Sequence, residues 1–153
     1  MRALSCGILL GLLLPGVASA HTDAGWQAPL AWPAEGTITS PFGQDGYRWH
    51  PGLDIGILQS PTVRAASPGR VVRTGYVPGY DGYGNVVILD LGDRLTALYA
   101  HLASSLVRAG QYVETGRQLG IAGCTGWCTG THLHFELRYR GRAFDPFPLL
   151  ATQ

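Results

Sequence analysis

From Gly36 onward the chain alternates short apolar runs with Gly and Pro, and no stretch holds a helical apolar period for several turns. Runs rich in β-branched and aromatic residues occupy 62–65, 69–77, 85–91, 95–100, 112–114, 118–122 and 132–139. Asp81-Gly82, Gly84-Asn85 and Gly92-Asp93 are turn or hairpin signals between them. The best helical candidate is about one turn at 102–107. The pattern predicts a mainly β domain of antiparallel strands with very little helix. A weak internal echo relates Ser67-Pro-Gly-Arg-Val-Val, Ala109-Gly-Gln-Tyr-Val-Glu and Thr115-Gly-Arg-Gln-Leu-Gly. Short Gly-led arms of this kind point to a barrel-sandwich arrangement.

The first 35 residues read differently. Arg2, an apolar run over 4–14, the breakers Pro15-Gly16 and the small residues Ala18-Ser19-Ala20 make a secretory signal peptide over 1–20. The apolar run is too short to span a bilayer, so no integral membrane segment is expected after cleavage. Residues 21–35 carry Trp26, Trp32, Pro29 and Pro33 and read as an extended lead-in lying on the domain. Export places the protein in the periplasm or outside the cell, in an oxidising compartment. There Cys124 and Cys128, which flank Thr125-Gly126-Trp127, are expected to form a disulfide, with free thiols or zinc ligation as the alternatives. So short a loop gains little closure entropy, and the bridge is expected to fix the loop before His132.

Composition narrows the function. The chain has 153 residues, 46% apolar and 14% charged, which fits one domain. A formal net charge of +1 supplies no basic field for nucleic acid. All 11 basic residues are Arg. Without Lys there is no Schiff base, no lipoyl or biotinyl attachment and no Walker-type phosphate loop.

Four of the 5 His sit in three short motifs. In the 132–139 strand, alternate side chains share a face, so His132, His134 and Glu136 point one way. Leu133, Phe135 and Leu137 point the other way, into the core. In His50-Pro-Gly-Leu-Asp54, Pro51 and Gly52 forbid a helix, so His50 and Asp54 must converge through a turn and a short run at 53–55. Imidazole plus carboxylate suits zinc. One more His completes three protein ligands and leaves a fourth position open, the pattern of catalytic rather than structural zinc. No His-Glu-x-x-His helix is present. Base work then falls to the remaining imidazoles, His101 of Tyr99-Ala-His101-Leu and one of His132 and His134.

His50-x-Gly-x-Asp54, Tyr99-Ala-His101-Leu and Gly130-Thr-His132-Leu-His134-Phe-Glu resemble, in order and spacing, the motifs of the lysostaphin-type (LytM-type, beta-lytic) zinc metallopeptidases. The connecting text is similar too: Ile38-Thr-Ser-Pro-Phe-Gly, Ala65-Ala-Ser-Pro-Gly-Arg-Val, Tyr83-Gly-Asn85, Gly110-Gln-Tyr-Val-Glu-Thr-Gly and Asp145-Pro. The resemblance covers about residues 36–148, leaving 149–153 as a C-terminal tail. It implies a duplicated-hybrid-motif fold with a groove floored by an antiparallel sheet. It implies one zinc held by His50, Asp54 and His134, and a catalytic pair, His101 and His132, that activates water and steadies the oxyanion. The implied substrates are peptide bonds in peptidoglycan stem peptides, cross-links or cross-bridges, cut by an enzyme expected to act as a monomer. Tyr47 and Glu136 are the candidates for an oxyanion or substrate contact, with Glu136 read rather as a support behind the ligands or as groove lining. The Cys124–Cys128 pair departs from the family's core motif.

Some members of that family lose the metal site and activate other wall hydrolases. A non-catalytic, peptidoglycan-binding activator is therefore the alternative function, although all five site positions are filled here. A carrier domain is excluded by the missing Lys. The D-Ala-D-Ala type of zinc peptidase has a longer His-to-Asp spacing than His50 to Asp54.

Overall fold

The computed structural model describes residues 29–46 and 48–152, so the leader read at 1–20 and Tyr47 lie outside the described residues. The strands follow in chain order: β1 (Thr37–Ser40), β2 (Gly43–Asp45), β3 (Arg48–His50), β4 (Leu53–Gly56), β5 (Thr62–Arg64), β6 (Gly69–Tyr76) and β7 (Asn85–Gly92). After these come β8 (Leu95–Ala100), β9 (Leu102–Ser105), β10 (Tyr112–Val113), β11 (Gln118–Ala122), β12 (Leu133–Tyr139) and β13 (Arg142–Phe144). Helix among the described residues is confined to two short 3₁₀ turns, Asp81–Tyr83 and Phe147–Leu149.

The main sheet runs β1-β4-β12-β8-β7-β6-β10, and β13 pairs with the far half of β12. A smaller sheet runs β5-β11-β9, and β2 and β3 form a separate ribbon. Every pairing of these strands is antiparallel. The architecture is mostly antiparallel sheet, as the sequence pattern predicts, and the described strands close no barrel.

Alternation decides what each face of the main sheet does. Val87 and Leu89 of β7, Ala97 and Tyr99 of β8, and Leu133, Phe135 and Leu137 of β12 all enter one core. Val63, Leu102 and Leu119 from the smaller sheet belong to that same core. On the opposite face, Val86, Ile88, Leu98 and Ala100 form a second apolar cluster. Continued across to β12, that second face becomes His134 and Glu136. The polar side of β12 is therefore the margin of a hydrophobic floor. Leu30 enters the main core and bridges to Leu150, and Trp32 Nε1 donates to the Ala151 carbonyl at 2.8 Å.

The helical turn expected at 102–107 is a correction. Residues Leu102–Ser105 form β9, paired with β11 through Gly120↔Ser105 and Ala122↔Leu102. A single isolated turn of helix is marginal in water. Pairing with β11 and full burial of Leu102 outweigh it. The edge elements β1, β2, β3 and β13 had no sequence signal, because three or four mostly polar residues carry too little pattern. The stretch read as strand from 132 begins at Leu133, with His132 bridged to Gly123 just before it.

Gly120 tests this correction. A Cβ there would lie 2.4 Å from the Ser104 carbonyl. Gly120→Ala should cost about 1–3 kcal/mol, read as a lowered denaturant midpoint at unchanged slope. A near-neutral result would mean that 102–105 does not pack on β11 as a strand.

Candidate active site

Register brings the separated motifs together. His134 on β12 lies opposite Asp54 on β4 and Ala100 on β8, one residue before His101. His50 ends β3, and Pro51-Gly52 turns the chain directly into β4. Gly52 is required there. A Cβ on it would sit 2.4 Å from the Phe135 carbonyl and 3.0 Å from the His134 ring. The glycine between His50 and Asp54 thus lets β4 approach β12 closely enough for the side chains to meet.

Three ligand atoms converge. His134 Nδ1 is 2.7 Å from Asp54 Oδ1, His50 Nε2 is 3.2 Å from the same oxygen, and the two nitrogens are 3.1 Å apart. The other nitrogen of each ring is committed. His50 Nδ1–H donates to the Pro41 carbonyl at 2.7 Å, and His134 Nε2–H donates to Glu136 Oε1 at 2.9 Å. Since a carbonyl and a carboxylate only accept, each ring in its neutral form has its lone pair on the nitrogen facing the Asp54 oxygen, and a protonated ring donates to that oxygen instead. A set of N, N and O donors aimed at one point is the chemistry of a cation site, and these three residues could hold a metal ion.

The electrostatics agree. Burial opposes charge on both rings, yet the contact with Asp54 raises His50 and His134 above the ordinary imidazole value. Burial likewise opposes charge on Asp54, but hydrogen bonds with His134 and His50 hold its carboxyl well below the usual range. The pocket favours positive charge where the donors meet.

His101 and His132 stand beside this trio, with ring centres 4.7 Å apart. His101 Nδ1–H donates to the Thr125 carbonyl at 2.8 Å, and His132 Nδ1–H donates to the Gly130 carbonyl at 2.7 Å. In the neutral form of each ring this puts the lone pair on Nε2, and His132 Nε2 lies 3.6 Å from Asp54 Oδ1. Burial lowers the pKa of His101 and keeps it neutral at neutral pH. His101 has a left-handed backbone (φ 60°), uncommon for a residue with a Cβ, and its N–H donates to the Tyr83 carbonyl at 2.9 Å. That kink ends β8 and turns the ring toward His132 and His134. Strain of this kind concentrates at functional sites.

Glu136 is fully buried beneath His134 and does not reach the groove, so it is no substrate contact in this arrangement. Its carboxylate accepts from His134, from the Tyr83 hydroxyl at 2.7 Å and from Arg138 Nε. Arg138 also donates to the Tyr83 oxygen at 3.0 Å. Burial would raise the Glu136 carboxyl, but these partners, His134 first, hold it down as the anion. Sequence reasoning missed Tyr83 and Arg138 as members of the site. Arg138 was legible, because the alternation 132, 134, 136 extends to it. Tyr83 was not, since nothing in its 3₁₀ turn signals a partner on β12.

Cys124 and Cys128 are joined by the expected disulfide, with Cα atoms 5.3 Å apart. Its loop forms one wall of an open cleft of about 590 Å³ over the five residues. Trp127 and Trp49 stand exposed at the rim. Among the described residues, no helix is long and apolar enough to cross a membrane.

The profile of peptidase family M23 matches residues 48–146. A Haemophilus influenzae protein described as an uncharacterized metalloprotease is 40% identical over 99 residues, 65% of this chain and 20% of the relative. The murein hydrolase activator NlpD of Escherichia coli K12 is 37% identical over 121 residues, 78% of this chain and 30% of the relative. The chain therefore spans less than half the length of these curated relatives. Among solved structures, a zinc-containing peptidase from Vibrio cholerae superposes with a TM-score of 0.70 at 29% identity, covering 82% of this chain and 40% of that one. Sequence motifs, site geometry and fold agree on one conclusion: the chain belongs to peptidase family M23, the lysostaphin-type family.

Proposed function

We propose that this chain is an exported zinc-dependent endopeptidase that hydrolyses peptide bonds in peptidoglycan cross-links or bridges. What carries the proposal is the convergence of two kinds of group in one cleft: three donor atoms that could hold a cation, and two further imidazoles beside them. His50, Asp54 and His134 would hold the zinc. When bound there, zinc supplies Lewis-acid polarisation of a carbonyl and makes water more acidic.

The chain's own residues do the rest. Pro41 and Glu136 fix the tautomers of His50 and His134. The Thr125 and Gly130 carbonyls do the same for His101 and His132, which leaves each Nε2 free to take a proton or to donate one to a developing oxyanion. Trp49 and Trp127 at the rim offer flat apolar surface to an extended peptide. Export is supported by the leader pattern at 1–20 and by the disulfide. The second reading, a non-catalytic activator of another wall hydrolase, is favoured by the likeness to the murein hydrolase activator NlpD. The filled His101 and His132 positions weigh against it.

Mass spectrometry of muropeptides released from walls of defined cross-link chemistry tests the function. Zinc-dependent appearance of cleaved stem or bridge peptides is expected. Intact peptides, together with stimulation of a second hydrolase, would establish the activator instead.

His50→Ala, Asp54→Ala and His134→Ala should each lose most of the bound zinc, measured by elemental analysis, because two remaining ligands hold the ion poorly. Stoichiometric zinc in His134→Ala would move the ligand role to His132.

His101→Ala and His132→Ala should keep their zinc and fold while losing at least about two decades of hydrolysis rate. The double variant should lose less than the product of the singles, since both act on one transition state. Full activity in both singles would eliminate the mechanism.

Glu136→Gln keeps the size of the side chain but removes its charge. Zinc affinity, followed by competition with a chelating dye, should fall about 10–100-fold. Unchanged affinity would show that His134 is oriented without that carboxylate.

A further inference from the structure

The four imidazoles of the site take their orienting partners from two sources. The ligand rings lean on the scaffold, His50 on Pro41 and His134 on Glu136. The other two lean on one loop, His101 on Thr125 and His132 on Gly130. That loop is not held evenly. Its first half is pinned. Thr125 Oγ1 donates to the Leu102 carbonyl and accepts from Asn85 N–H, both at 2.9 Å. Trp127 N–H donates to the Gly82 carbonyl at 2.9 Å. Gly84 lies so close that a Cβ on it would meet Thr125 at 2.4 Å. The second half, residues 129–131, is exposed and irregular, yet it carries the carbonyl that holds His132. The disulfide joins the two halves. Cys124 adjoins pinned Thr125, and Cys128 Sγ lies 3.9 Å from His132 Nδ1.

We propose that the Cys124–Cys128 disulfide is a positioning element for His132. It carries the anchorage of Thr125 across to the Gly130 carbonyl and so holds the ring and its tautomer. His101, bonded to Thr125 directly, does not depend on it, and neither do the ligand rings. The bridge closes too short a loop to gain much from chain entropy, so its effect is local. The catalytic consequence rests on the reading of His132 as a proton-handling group; the hydrogen bond itself does not.

The test uses zinc-loaded full chain with ¹⁵N-labelled imidazoles, comparing the natural protein with Cys124→Ala/Cys128→Ala. Ring N–H signals report each imidazole hydrogen bond without any turnover. In the bridgeless variant the His132 Nδ1–H signal should vanish into solvent exchange, while those of His50, His101 and His134 persist and zinc stays stoichiometric. The rate constant kcat should fall about 10–100-fold with KM little changed, as for a group displaced by roughly 1 Å. Thr125→Val keeps the bridge but strips the Oγ1 anchors, and should weaken the His101 and His132 signals together. A His132 signal that survives in the bridgeless variant overturns the proposal, as does loss of all four signals at once. If the natural protein cleaves no wall peptide while His132 alone responds, the positioning role stands and the peptidase reading fails.

Discussion

The lone pairs of His50 Nε2, His134 Nδ1 and Asp54 Oδ1 meet within 2.7–3.2 Å of one another. With both rings neutral, such an arrangement repels itself unless positive charge, a proton or a metal ion, sits among the three atoms. Much of the surrounding structure holds that unfavourable geometry in place. The antiparallel register of β4 against β12 sets Asp54 opposite His134. The side-chain-free Gly52 permits the close approach. Partners on the far nitrogens fix the tautomer, so that the lone pair of each neutral ring faces the site.

Beneath this point lies a second charged layer. Glu136 is buried without access to water, and a carboxylate there is tolerable only because His134, Tyr83 and Arg138 share its charge. The layer rests on the apolar cluster of Val86, Ile88, Leu98 and Ala100, with Tyr80 and Tyr83 packed against it. Arg138 also lies over the Tyr80 and Tyr83 rings, which confines the guanidinium to one place. The apolar floor thus does more than stabilise the sheet. It also helps keep water from Glu136 and the His134 ring, which are buried.

Peptidase and activator readings differ physically in what happens above the cation site. Holding a metal requires the trio and its supports. Turning a peptide bond over also requires proton-handling groups at fixed distance, the role that the proposed peptidase reading gives to His101 and His132, whose ring centres lie 4.7 Å apart. The left-handed backbone of His101 takes the chain from β8 in the main sheet to β9 in the smaller one, and the same turn aims the imidazole at His132 and His134.

The three histidine motifs, the outward and inward faces of β12 and most of the strands were legible in the sequence. They follow from local rules: period-two alternation, a helix-breaking Pro-Gly pair, and runs of β-branched residues. The resemblance to a known family then supplied the roles that spacing alone left open between His132 and His134. What only the tertiary structure decided is everything that depends on a partner distant in the chain. Residues 102–105 form a strand because β11 lies beside them. Glu136 is a support and not a groove residue because Tyr83, 53 positions earlier, folds over it. The uneven anchorage of the 124–130 loop depends on Asn85 and Leu102, which no local pattern connects to it. Periodicity tells which way a side chain points; what covers it is determined by strands that pair across long stretches of chain, and that information is not local.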